Sequence, residues 1–204
     1  MLDRYADSAL LLPRGRLPLN IFEPRYLEMI ADAMAGAGMI GMVQPQDPAV
    51  YAKVLKPEIY SVGCLGRIVE HAETDDGRIL IALEGRMRFR VLQELETTTG
   101  YRQVSVSYDE FVNDAASDQS TPGGRDVLIG NLRTFFKRLG VEADWRAVQT
   151  APDEALINSV AMMCPFHGVE KQALLEAPSL SERAIILNTL LELNLAGGDT
   201  QAPH

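Results

Sequence analysis

The stretch LPLNIFEPRYLEMIADAM, Leu17 to Met34, joins a strand-like run to an amphipathic one across a single proline. Pro24 suits the first position of a helix, where its missing N–H costs nothing and its φ is already helical. The spacing predicts a helix from Pro24 to about Ala35, with Leu27, Ile30 and Met34 on one face, Tyr26 beside them, and Gly36 and Gly38 as the stop. Glu23 falls at the positive end of the helix dipole, and Arg25 can pair with Glu28 three residues on. LPLNIF before it reads as a strand, so the unit is a strand turning sharply into a helix. Pro18, Leu19, Phe22, Glu23, Pro24, Arg25 and Tyr26 are expected to lock this corner structurally, because nothing local offers the nucleophile or base that a catalytic site needs.

Outward from this corner, the first half of the chain punctuates like a strand-rich domain. ALLLP (9–13), RLPLNIF (16–22) and GMIGMV (38–43) read as short strands bordered by Gly and Pro. The run from Ile59 to Gly85 gives a long strand, an acidic turn containing Asp76-Gly77, and a return strand, which is a hairpin signal. RMRFRVLQELE (86–96) and YRQVSVSYDEF (101–111) alternate with the period of two of half-buried strands. VNDAASDQSTPGGR, Val112 to Arg125, then has the Ser, Asp, Gly and Pro content of a flexible connector. Beyond it the period turns helical. Leu128, Leu132, Phe135, Phe136 and Leu139 share a face that Gly140 stops, and helices follow in PDEALINSVAMMC, GVEKQALLEA and SLSERAIILNTLLELNL, the last capped by Ser179 or Ser181. The expected division is a β subdomain over 1–111, a connector over 112–125, a helical subdomain over 126–196 and a disordered tail over 197–204.

The totals narrow the function class. With 204 residues and 47% apolar content the chain can build a real core. A net charge of -9 argues against a dedicated nucleic-acid binder and against adsorption to anionic membranes. The charge is shared: residues 1–111 carry 12 basic and 16 acidic groups, and 112–204 carry 7 and 12. Cys64 and Cys164 lie in apolar runs and read as buried thiols of a reducing compartment, a disulfide between them being the alternative. The N-terminus has an acidic start and too short an apolar core for a signal peptide, and no apolar run reaches membrane-spanning length, so a cytoplasmic location is expected.

Catalytic signatures do not emerge. None of the four lysines, Lys53, Lys56, Lys137 and Lys171, follows a glycine or precedes Ser or Thr, so no phosphate-cradling loop can be written. His71, His167 and His204 lack Cys or His companions at zinc-ligand spacing. His71 sits among Glu70, Glu73, Asp75 and Asp76 in what reads as a solvated turn, and His167 reads as a helix boundary. No catalytic residue, metal or cofactor is expected. One candidate binding surface does stand out: in EGRMRFRVL, alternation sets Arg86, Arg88 and Arg90 on one face, with Arg67 on an adjacent strand. Cross-strand pairing with carboxylates such as Glu70 or Glu84 is the favoured reading, and a stripe holding an acidic or extended polypeptide, or an RNA backbone, is the functional one.

LPLNIFEPRY resembles the signature of the Lon N-terminal domain family, the substrate-binding domain found at the start of ATP-dependent Lon proteases and as free-standing proteins. The likeness continues through IYSVGCLGRIVE (59–70), DDGRILIALEGRMRFRVLQ and CPFHGVEKQALLEAPSLSERAIILNTLLEL, with the connector least matched. The resemblance implies an α+β fold: a PUA-like twisted β-barrel with one helix after its first strands, followed by a helical subdomain. It further implies a stand-alone, non-catalytic module that binds unfolded or damaged polypeptides as a recognition or adaptor unit, with a Lon protease or another protein as partner. Neither the ATPase nor the serine-lysine protease module of a full Lon protease is visible in these residues. Eight methionines, including Met29, Met34, Met39, Met42, Met162 and Met163, would suit an adaptable apolar groove, although core filling explains most of them equally well. The alternative is an RNA-binding PUA-like protein using the arginine face, which rests on fold analogy and is opposed by the acidic total.

Overall fold

A computed structural model describes residues 9–47, 56–116 and 123–196. The chain divides into two compact units, Met1–Ser117 and Asp118–His204. The expected tail, Lys53 and the middle of the connector, residues 117–122, lie outside the described residues.

Among the described residues the first unit is an antiparallel sheet with one α-helix, and β4 organises it. β1 (Arg16–Ile21) leads into α1 (Pro24–Ala35), then β2 (Met39–Met42), β3 (Val62–Glu73), β4 (Ile79–Glu94) and β5 (Val104–Ser107). β3 lies along one edge of β4, while β1 takes the first part of the other edge, opposite residues 79–84, and β5 the last part, opposite 90–94. β2 pairs with the far edge of β3. The hairpin turn is built as its chemistry demands. Gly77 holds a positive φ of 80°, its N–H donates to the Thr74 carbonyl, and Asp76 pairs with Arg78.

Ala9–Pro13 corrects the first strand expectation. Leu10, Leu11 and Leu12 are buried as a loop without strand pairing, since a short apolar run signals burial without specifying the backbone that achieves it. Gly85 makes that loop possible: its N–H donates to the Gly15 carbonyl, its own carbonyl accepts from Arg14, and the Leu12 carbonyl crosses where a Cβ would stand. Gly63 serves similarly, leaving room for the buried Phe89 ring.

The helix of the corner forms where expected, with Pro24 in its first turn. Two details differ. Arg25 turns back to Glu23 at 2.8 Å, rather than forward to Glu28, whose carboxylate accepts the Gly100 N–H at 3.1 Å. Met34 is exposed, so the buried face of α1 centres on Ile30. The connector also begins later than its composition suggests: Asp109–Ala115 forms a 3-10 helix, held by side-chain bonds to the sheet.

The second unit is helical: α2 (Arg125–Leu139), α3 (Trp145–Thr150), α4 (Asp153–Met163), α5 (Gly168–Glu176) and α6 (Leu180–Ala196). Ser179 caps α6 through the Glu182 N–H, and His167 opens α5, its N–H donating to Glu170 at 2.7 Å. α3 escaped the sequence reading because six residues are too few for a helical period, although Asp144 caps it through two N–H groups. Arg125 ties the end of α3 to the start of α4, donating to the carbonyls of Val148, Gln149 and Ala151 and pairing with Asp153. Arg183 is buried, bonded to the Leu174 carbonyl and the Asn158 side chain.

Both cysteines are buried thiols, and neither forms a disulfide. Burial pushes the Cys164 thiol from 9.0 up to about 12, while Lys171, also buried, is lowered. A folded pKa above the unfolded one gives stability that is complete below pH 9.0 and is lost as pH rises towards 12. The loss should run at about 1.4 kcal/mol per pH unit in that window. Lys171 has the opposite sign, its cost being relieved as pH rises, so the thiol is isolated by comparison with Cys164→Ala. In urea unfolding followed by Trp145, the chain's one tryptophan, wild type should lose about 1.4 kcal/mol more than this variant between pH 8 and 10. Equal losses would refute the assignment.

Candidate functional site

The sheet unit contains a groove of about 810 Å³. α1 supplies Tyr26, Met29 and Ala33, β2 and its continuation Met39, Gly41 and Val43, β3 Leu65, β4 Phe89, and β5 Val104 and Val106, with the loop from Leu95 to Gln103 completing the wall. The volume falls towards the upper end of the roughly 300–1,000 Å³ typical of ligand pockets. Phe89 forms part of the floor, with the Tyr108 ring edge-on at 6.5 Å. Gly41 leaves room for that ring, because a Cβ there would stand 3.1 Å from it.

Hydrogen bonds span the groove's walls. The Tyr101 hydroxyl donates to Asp32 on α1 at 2.7 Å, which raises the phenol's pKa, and the Gly100 N–H reaches Glu28 one turn earlier. Arg102 grips Glu94 through two nitrogens at 3.0 and 2.6 Å and donates to the Pro57 carbonyl. The hydrogen bond from Arg102 holds the Glu94 carboxyl below its ordinary pKa. Arg25 bonds Glu23 and lies over the Tyr26 ring at 4.6 Å, and Lys56 approaches Glu94 at 3.9 Å. Every charged group of the lining thus has an opposite charge or a hydrogen-bond donor beside it, and the interior between them is apolar.

The arginine face is arranged differently from its sequence pattern. Arg86 pairs with Glu84 on its own strand, and Arg90 with Glu110 of the 3-10 helix. Arg88 is buried: its Nε and guanidinium nitrogen donate to Asp114 at 2.8 and 2.7 Å, and its backbone N–H to the same carboxylate at 2.9 Å. Glu70, named as a possible partner, pairs with Arg16. Arg67 is exposed on β3 and has no ion pair among the described residues. Carboxylates therefore engage Arg86, Arg88 and Arg90 from within the unit, and these three present no open cationic row.

Of the corner residues, Arg25 and Tyr26 border the groove. Pro18, Phe22 and Pro24 are exposed and Leu19 and Glu23 partly so, with Phe22 lying 5.9 Å from the Arg78 guanidinium. Among the methionines, Met29 and Met39 line the groove, whereas Met34 and Met163 are exposed and Met162 belongs to α4. The described residues bring together no cluster of His, Cys, Asp and Glu that could hold a metal ion, and none of their helices is long and apolar enough to cross a membrane.

Residues 5–192 match the ATP-dependent protease La (LON) substrate-binding domain. The chain belongs to this family. A Lon protease of Flavobacterium johnsoniae is 26% identical over 197 residues, covering 92% of this chain and 23% of the relative, and one of Dictyoglomus thermophilum is 22% identical over 178 residues, covering 87% and 21%. The chain thus spans less than a quarter of the length of these relatives. Among solved structures, the N-terminal domain of a Mycobacterium avium complex Lon protease aligns with a TM-score of 0.62 at 15% identity over 91% of this chain and 94% of that one. A Lon N-terminal domain protein from Xanthomonas campestris aligns at 0.58 and 22% identity, over 93% of each. These neighbours share the α+β fold of the Lon N-terminal domain.

The groove of this Lon-type domain was invisible residue by residue. Its walls come from positions 25 to 108, brought together by sheet register and by the clasp of the 95–103 loop on α1. The one usable signal was the pair of alternating valines in VSVS beside the alternating Met39, Gly41 and Val43.

Proposed function

We propose that this domain recognises segments of unfolded or damaged polypeptide in the groove of its sheet unit, and leaves the bound chain chemically unchanged. The observation that carries this reading is the groove itself, apolar within and charge-satisfied at its edges. Such a lining favours segments whose apolar side chains are normally buried, and Met29 and Met39 can adapt to varied shapes. Membership of a family described as a substrate-binding domain supports the same class of ligand. A recognition or adaptor role follows, with a Lon protease as a candidate partner.

The test is fluorescence anisotropy of a labelled, permanently unfolded polypeptide titrated with the protein, with unlabelled RNA as competitor. Saturable binding that RNA does not displace is expected. Val106→Asp, which puts an unpaired carboxylate into the groove wall, should weaken binding at least tenfold while thermal unfolding stays near wild type. Undiminished binding by that variant would remove the groove from the reading, and absence of binding by wild type would remove the reading itself.

A further inference from the structure

We infer that the groove captures an uncharged, extended polypeptide segment by strand addition, reading its backbone before its side chains. The inference rests on the polypeptide-binding reading and supplies its recognition chemistry. It starts from two sheet edges. In β5 the Gln103 carbonyl accepts from Leu95 of the β4 segment, so alternation turns the N–H and C=O groups of Val104 and Val106 away from β4. In β2 the Gly38 carbonyl accepts from Ile68, and Gln44 accepts from Tyr60, so Met39, Gly41 and Val43 turn theirs away from β3. Neither outward edge has a strand partner among the described residues, and all five of these residues line the same groove.

Both edges are four-residue strands free of proline, so each presents about 13 Å of ladder at the usual rise per residue. A guest of four to six residues matches that length. The electrostatics select its character. Arg25, Lys56 and Arg102 already face Glu23 or Glu94, and Asp32 accepts from Tyr101, so a charged guest side chain would meet no unsatisfied opposite charge. A neutral guest with alternating apolar residues complements this lining, and main-chain bonds make the fit tolerant of sequence.

Strand pairing uses alternate residues of the guest, which gives the test its form. Three labelled octapeptides of alternating valine and threonine are titrated: one unmodified, one N-methylated at the valines, and one N-methylated at the threonines. One methylated peptide should bind at least tenfold more weakly than the unmodified peptide and the other within about twofold. Alongside, amide exchange of the protein bound to the unfolded polypeptide should slow at Val104 and Val106, or at Met39, Gly41 and Val43. Equal behaviour of the two methylated peptides, or unchanged exchange at all five amides under saturation, overturns strand addition while leaving polypeptide binding intact. Failure of the unfolded polypeptide to bind at all overturns both.

Discussion

Gly85→Ala is expected to destabilise the sheet unit by at least about 4 kcal/mol, an exceptionally large loss for a single substitution. A Cβ at this position would stand 2.0 Å from the Leu12 carbonyl oxygen and 2.8 Å from its carbon. Both atoms are backbone, so no rotamer change relieves the clash. The loop must move, and the bonds from Arg14 to Gly85 and from Gly85 to Gly15 hold it in place just beyond the contact. Moving it exposes Leu10, Leu11 and Leu12, each about 1.5–3 kcal/mol of buried apolar side chain. Against a typical total of about 5–15 kcal/mol, that is most of the stability of such a unit. Amide exchange in β3 and β4 measures it directly, since the tryptophan reports on the helical unit. Gly123→Ala, where a Cβ meets nothing within 4 Å, is the control and should change little. Wild-type protection in Gly85→Ala would show that the loop is not held as described.

Asp114→Ala should cost about 3–5 kcal/mol, because it strands a buried guanidinium. Asp114 takes three hydrogen bonds from Arg88, and the side chains of the pair are only 6% and 10% exposed. The Arg88 guanidinium also lies 4.8 Å over the Phe111 ring, so its position depends on the 3-10 helix from both sides. Losing the carboxylate leaves the charge desolvated and frees the helix. Arg88→Met combined with Asp114→Leu should recover most of the stability, since a well-packed apolar pair avoids the desolvation cost altogether. Amide exchange of β4 across the two single variants and the double variant yields the coupling. An additive outcome would mean that the two groups do not act as a buried pair.

The same two sites show what could be read from the sequence and what could not. Pro24 announced its helix, Asp76-Gly77 its turn and Ser179 its cap, because each acts on a backbone within a few residues of itself. Asp114 as the partner of Arg88 lies 26 residues away, in a stretch whose composition reads as connector. Pairing of that kind depends on the path of the chain, which local pattern does not encode. The leucines at 10–12 were legible as apolar and illegible as a loop, since only the missing side chain of Gly85 decides how they approach. The groove was the least legible feature, being made from the spaces between elements.

The division of one edge of β4 between β1 and β5 has a consequence for synthesis. β3 and β4 can zip from their turn outwards, starting from residues six apart, whereas β1 pairs with residues 58 to 68 positions later. Closing so long a loop is entropically dear, so β1 is expected to join late. On the ribosome the first strand therefore emerges well before the edge that will receive it. For that interval the nascent domain carries an unpaired strand of its own, apolar only at alternate residues, Leu17, Leu19 and Ile21, and open to pairing with any other exposed edge.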